Sequence, residues 1–271
     1  MSKLKKALEK AKEARQQESA PTVTVTISEN NTDSTAQQQL KQPESRRSSV
    51  QTRVSPCDPQ RLHNNKIIFD CQVQKAGDQV KILRTRILDH FKEIRGNSLL
   101  LTSPTAGTGT TLTAINLALS MAQEINRTVL LVDADLRHPS IHRYFGLSAE
   151  RGLSDYLLGK TDLPELLINP GFDNLTILPG GKPLTNSTEL LGAPQMESLV
   201  REMKTRYADR YLIFDSSPLL TCADALVFSS FIDSIMLVVE MEKSSRGEIK
   251  QAMELLQDKP VLGSIMNKVI N

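Results

Sequence analysis

Leu99-Leu100-Leu101-Thr102-Ser103-Pro104-Thr105-Ala106-Gly107-Thr108-Gly109-Thr110-Thr111 is an apolar run that empties into a glycine-spaced turn. A helical pattern, Leu112-Thr113-Ala114-Ile115-Asn116-Leu117-Ala118, follows at once. Strand, glycine turn and helix in that order outline a loop that cradles phosphate. Gly107 and Gly109 let backbone N–H groups converge on an anion, and the helix adds its positive N-terminal end. Thr111 stands where a magnesium-binding hydroxyl belongs. Thr110 stands where such a loop normally carries lysine, so a neutral hydroxyl replaces a point cation. Taken alone, the stretch also fits a plain strand-to-helix turn, which uses glycines in the same way.

From about Lys75 onward apolar runs alternate with helical patterns, which predicts an α/β domain: a doubly wound, mostly parallel sheet flanked by helices. The predicted strands are Leu99–Thr102, Val129–Val132, Leu175–Leu178, Leu212–Phe214, Ser234–Val239 and Val261–Met266. Apolar spacing predicts helices over Asp78–Ile94, Thr111–Glu124, Gly192–Arg206, Asp224–Phe231 and Arg246–Gln257. The second strand leaves the sheet as Val132-Asp133-Ala134-Asp135-Leu136-Arg137, at the carboxyl edge where open α/β folds bind ligands. One of its acids can hold magnesium through water while the other orients or deprotonates an attacking group. Leu212-Ile213-Phe214-Asp215 repeats an apolar run ending in an acid. Aspartates at strand ends also serve as turn formers and helix caps, but two of them behind a phosphate-type loop favour a site.

The N-terminal texture differs. Residues 1–16 place Leu4, Ala7, Leu8, Ala11 and Ala14 on one stripe among basic groups, a short amphipathic helix that either is solvated or lies on an anionic membrane or a partner. Residues 17–75 are rich in Ser, Thr, Gln, Asn and Pro and are expected to form a disordered tether, leaving 76–271 as the folded domain. A formal net charge of only +2, seven Phe, four Tyr and no Trp point away from nucleic acid. Cys57, Cys71 and Cys222 are widely spaced and suggest neither a disulfide framework nor zinc, which fits a reducing cytoplasm. The charged N-terminus is not a secretory signal, and no run of eighteen apolar residues predicts a spanning helix.

Longer matches carry a resemblance. Val129-Leu130-Leu131-Val132-Asp133-Ala134-Asp135-Leu136-Arg137-His138-Pro139 and Tyr211-Leu212-Ile213-Phe214-Asp215-Ser216-Ser217-Pro218-Leu219-Leu220 resemble the second Walker A-type motif and the Walker B motif of bacterial tyrosine kinases (BY-kinases) of exopolysaccharide assembly. Gly152-Leu153-Ser154-Asp155-Tyr156-Leu157, Leu178-Pro179-Gly180-Gly181, Thr188-Glu189-Leu190-Leu191 and Met266-Asn267-Lys268 extend the similarity from Asp78 to Asn271. The family is related to the Par and Min partitioning ATPases, and the chain looks closest to tyrosine autokinase-like proteins of exosortase-linked loci. The resemblance implies a P-loop NTPase fold, ATP and Mg2+ as cofactors, and protein-tyrosine phosphorylation regulating polysaccharide polymerisation and export. It implies Asp133 and Asp135 as catalytic residues and Thr111, Asp133 and Asp215 around the metal. It places nucleotide against Gly107, Thr108, Gly109, Thr110, Thr111, Leu112, Arg137, Asn267 and Lys268, with Asn267 facing adenine. Asp78, Lys81 and Arg84 resemble the helix through which such kinases form rings. The implied partner is a membrane polysaccharide co-polymerase, met in the cytoplasm at the inner face of the plasma membrane.

The departures define an alternative. Ala106-Gly107-Thr108-Gly109-Thr110-Thr111 lacks the family's loop lysine, and no tyrosine-rich tail precedes Asn271. Tyr144, Tyr156, Tyr207 and Tyr211 read as packing residues. Lys243, Lys268 or a neighbouring subunit's cation are the candidates to substitute for the lysine. Without a substitute, the chain would be a catalytically impaired pseudokinase that acts by binding the co-polymerase.

Overall fold

The computed structural model describes residues 52–68, 74–148, 150–207 and 209–269. Within them lie the strands β1 (Arg53–Val54), β2 (Ser98–Thr102), β3 (Thr128–Asp133), β4 (Ile168–Asn169), β5 (Leu175–Leu178), β6 (Arg210–Asp215), β7 (Ser234–Glu240) and β8 (Val261–Asn267). They form one sheet in the order β1-β4-β5-β3-β6-β2-β7-β8, parallel throughout except where β4 meets β5. The helices are α1 (Pro59–Asn64), α2 (Gln74–Ile94), α3 (Thr110–Ala122), α4 (Ile141–Phe145), α5 (Leu153–Leu157), α6 (Leu163–Leu166), α7 (Ser187–Leu191), α8 (Pro194–Arg206), α9 (Asp224–Phe228) and α10 (Arg246–Leu255).

The central strands read as continuous apolar runs because both of their faces are covered. Side chains alternate across the pleat, so Leu99 and Leu101 join Ile87 and Phe91 of α2 and Ile115 and Met121 of α3 in one core. Leu100 points the other way, into a second core with Phe214, Met196 and Leu199 of α8 and Phe228 of α9. Each strand in the predicted list is present, with ends shifted by no more than two residues. Strand order was not legible in the chain. It seats β2 between β6 and β7, and β3 beside β6, so the ends of β2, β3 and β6 converge.

Residues 52–68 do not behave as tether. Asp58 accepts a hydrogen bond from the Gln60 N–H at 3.0 Å and Pro59 opens α1, a helix start of the usual chemistry. Leu62 and Ile67 bury in the first core, and β1 pairs in parallel with β4. Asn65 Nδ2 donates to the Tyr144 carbonyl at 2.7 Å, and the Ile68 N–H donates to Asn116 Oδ1 at 2.8 Å, which ties this strap to α4 and α3. Averaged composition hid two apolar anchors within a polar stretch. The N-terminal helix expected at 1–16 and the rest of the tether, 17–51 and 69–73, lie outside the described residues.

The residues expected to form rings, Asp78, Lys81 and Arg84, lie on α2. Asp78 and Lys81 are exposed and pair with each other at 3.5 Å. Arg84 instead donates from Nη1 to the Ser120 carbonyl at 2.8 Å and pairs through Nε with Glu124 at 3.1 Å. Six residues of helix rotate Arg84 about 120° away from Asp78, toward α3. Of the three, Arg84 therefore has partners within its own chain.

Candidate functional site

The turn after β2 holds Gly107 at φ 84° and Gly109 at φ 88°, left-handed conformations that favour glycine. A Cβ on Gly109 would also lie 2.3 Å from Asn267 Nδ2, so a side chain here would have to displace the Asn267 amide. Gly109 caps α3 without a side-chain hydrogen bond, which leaves the first turn's N–H groups for an anion. Leu112 follows in that turn. The Thr110 side chain faces inward: its hydroxyl lies 2.9 Å from the Thr108 hydroxyl, and both residues are buried.

Asp133 ends β3 and Asp215 ends β6, paired in register at neighbouring strand ends. Asp133 Oδ2 accepts the N–H groups of Ser140 and Ile141 at 2.8 and 3.0 Å. Its Oδ1 and both oxygens of Asp215 are buried and make no hydrogen bond of normal geometry. Burial raises both carboxyls, Asp133 to about 7 and Asp215 well above the carboxylate range; charge on Asp135 adds to the rise at Asp133, and charge on Asp133 and Asp135 adds to it at Asp215. The Thr111 hydroxyl offsets part of this at Asp215 and itself lies 3.4 Å from Ser140 Oγ. Asp135 sits nearer solvent and accepts the His138 N–H at 3.0 Å; burial raises it too.

Three orphaned carboxylate oxygens beside a hydroxyl form an all-oxygen donor set that suits Mg2+, which takes its remaining ligands from water and phosphate. Among the described residues no group of three His, Cys, Asp or Glu would hold a metal by itself. The donors therefore fit an ion that arrives with a nucleotide better than a resident transition metal.

The remaining residues separate into two groups. Asn267 and Lys268 reach the loop: Asn267 Nδ2 donates to the Thr108 carbonyl at 2.8 Å and Lys268 Nζ to the Gly107 carbonyl at 2.7 Å. Arg137 is committed elsewhere, with Nε 3.1 Å from Asp224 Oδ2 and Nη2 3.2 Å from Thr188 Oγ1. Ser187 and Thr188 also donate to Asp224, which is fully buried. Burial opposes ionisation of Asp224, but these three donors outweigh it and hold the carboxyl below its ordinary value. Sequence reasoning missed this anchor and the Ser140–Ile141 backbone cradle; the only trace was the Thr188-Glu189-Leu190-Leu191 match. Tyr211 is buried and stacks on Phe91, whereas Tyr207 is partly exposed under Arg210.

A family described as an AAA domain matches residues 101–261. The tyrosine-protein kinase YwqD of Bacillus subtilis is 32% identical over 210 residues, covering 76% of this chain and 87% of that protein. The putative tyrosine-protein kinase CapB of Staphylococcus aureus is 29% identical, covering 74% and 88%. Among solved structures, the kinase domain of the Escherichia coli tyrosine kinase ETK superposes with a TM-score of 0.70 at 28% identity, over 81% of this chain and 89% of that one.

Proposed function

The chain belongs to the bacterial tyrosine-kinase family, and on that premise we propose that it binds Mg-ATP at the turn after β2 and is a protein-tyrosine kinase weakened by Thr110. The observation that carries this reading is the trio of unpartnered buried oxygens, Asp133 Oδ1 and Asp215 Oδ1 and Oδ2. A buried polar atom without a partner costs about 1–3 kcal/mol, more when charged, so a fold retains three of them side by side where a ligand completes the set. Bound Mg2+ would neutralise charge on the β- and γ-phosphates. Thr111, Asp133 and Asp215 would hold it, Gly107 and Gly109 would offer backbone N–H groups to phosphate, and the more accessible Asp135 would orient the attacking tyrosine hydroxyl. Asn267 would line the base end of the nucleotide.

A second reading is favoured by one observation: the Thr110 hydroxyl is turned into the loop toward Thr108. A charge-assisted hydrogen bond contributes about 1.5–3 kcal/mol, so its loss lowers nucleotide affinity about ten- to a hundredfold. On this reading the chain holds nucleotide without turnover and acts as a pseudokinase on a membrane polysaccharide co-polymerase. Among the described residues no helix is long and apolar enough to cross a membrane, so attachment would rest on such a partner or on residues 1–16.

Calorimetric titration of Mg-ATP into the full chain and into Thr110→Lys, with phosphotyrosine detection on both, tests these readings. The kinase reading expects binding and phosphotyrosine in both, stronger in Thr110→Lys. Phosphotyrosine in Thr110→Lys alone establishes the pseudokinase. No binding below millimolar concentration in either chain overturns both.

A further inference from the structure

Two lysines flank the loop that lost its own. Glu240 ends β7 and pairs in register with Asn267 of β8, so the turn after β7 and the end of β8 leave the sheet side by side. The Met241 N–H donates to the Asn267 carbonyl at 3.0 Å, and the Glu240 N–H to Ser244 Oγ at 2.9 Å, which fixes that turn. Glu242 has φ 64° and Lys268 φ 57°, left-handed backbone that non-glycine residues seldom adopt and that gathers at functional sites. Glu242 immediately precedes Lys243, and Lys268 is the second lysine beside the loop.

The two lysines are held differently. Lys268 Nζ makes two close contacts, to the Gly107 carbonyl at 2.7 Å and to Glu240 Oε1 at 3.1 Å, and so props the loop from below. Lys243 has one, a 3.4 Å approach to Glu240 Oε2, an oxygen that has no hydrogen bond of normal geometry. Lys243 Nζ nonetheless stands 3.6 Å from the place a Cβ would occupy on Gly107, at the mouth of the anion cradle, with its side chain 66% exposed. An ammonium on a flexible four-carbon stem loses little by leaving Glu240, because Lys268 remains to balance that carboxylate.

We infer that Lys243 supplies from outside the loop the phosphate-binding cation that Thr110 cannot. This inference rests on the nucleotide reading above. It assigns Lys243 a direct contact with phosphate and Glu240 the task of parking it while the cradle is empty.

The test is a double-mutant cycle on the full chain, read as the dissociation constant of Mg-ATP by calorimetry. In the natural background Lys243→Ala weakens binding about tenfold or more, and Lys243→Arg keeps most of the affinity. In the Thr110→Lys background the loop has its own cation, and Lys243→Ala changes affinity less than about twofold. Lys250→Ala, on the exposed face of α10, removes the same charge and leaves binding unchanged, which separates a local contact from net charge. Equal affinity of Lys243→Ala and the natural chain overturns the inference, and so does an equal loss in both backgrounds. If Thr110→Lys binds and the natural chain does not, Lys243 is no substitute although the nucleotide reading stands. If neither binds, both fall together.

Discussion

Aspartates lie at both edges of the sheet, and the two groups are treated in opposite ways. At the amino edge, Asp233 Oδ2 accepts the N–H groups of Asn97 and Ser98 and the Ser98 hydroxyl at 3.0, 3.1 and 2.8 Å, while Oδ1 receives Lys204. Burial alone would raise this carboxyl, yet Lys204 and the amide and hydroxyl donors hold it below its ordinary value. At the carboxyl edge, Asp133 and Asp215 leave three buried oxygens unmatched, and burial raises both. The same residue type is structural where its donors are supplied by the fold. It is poised for a ligand where they are withheld.

The largest expected contrast comes from neutralising each group. Asp215→Asn should abolish the Mg2+ dependence of nucleotide binding. In the Thr110→Lys background it should lower phosphotyrosine formation about a hundred- to a thousandfold. The same change should leave the melting temperature of the ligand-free chain equal or higher, because a neutral amide replaces a carboxyl whose ionised form this buried, unmatched site disfavours. A clear drop in that melting temperature would make Asp215 structural and erase the comparison. Asp233→Ala should do the reverse. Breaking a buried pair costs about 3–5 kcal/mol, reduced here to about 2–3 kcal/mol because Lys204 and Asp233 remain 26% and 20% exposed. Chemical denaturation should record that loss while Mg-ATP affinity stays within about twofold.

In the Lys243→Ala background, Thr110→Lys should tighten Mg-ATP binding by about ten- to a hundredfold in calorimetry, and by less while Lys243 is present. Unchanged affinity would mean that a cation already serves the phosphates. The smallest effect is in pH. Asp233 is lowered in the fold, so its stabilisation is present above about pH 4 and lost as pH falls through its lowered value. Asp133 is raised to about 7, so its contribution is present below about pH 4 and lost as pH rises through 7. The ligand-free chain should therefore be most stable near about pH 4, losing stability towards pH 7 as Asp133 ionises and at lower pH as Asp233 is protonated. Asp233→Asn should flatten the acid limb of a stability profile and Asp133→Asn the alkaline limb, and Mg-ATP should raise the melting temperature more at pH 8 than at pH 6.

The residues of the carboxyl edge were legible in the chain because each ends an apolar run, and a buried strand has little choice but to deliver its terminal residue to the sheet's edge. The Asp233 cluster was not legible: Ser98, Lys204 and Asp233 come from three elements and carry no local pattern. Arg137 illustrates the same limit. Its position in Asp133-Ala134-Asp135-Leu136-Arg137 places it at the site, but its guanidinium turns to Asp224, 87 residues away. The strap at 52–68 was misread for the opposite reason. Its start signal, Asp58-Pro59, was present, but Leu62 and Ile67 are too few to mark a buried segment until α3 and α4 are in place to receive them.

The chain by itself determined the six longer strands, the long helices, the glycine turn and the acids that end β3 and β6, since these depend on periodicity and on backbone freedom within a few residues, but not the two-residue strands β1 and β4. Only the tertiary structure decided which ends meet, which carboxylates go unpaired and where the cations stand. Those outcomes depend on strand order and on desolvation, which bring together residues that are remote along the chain and set the cost of each charge by what surrounds it.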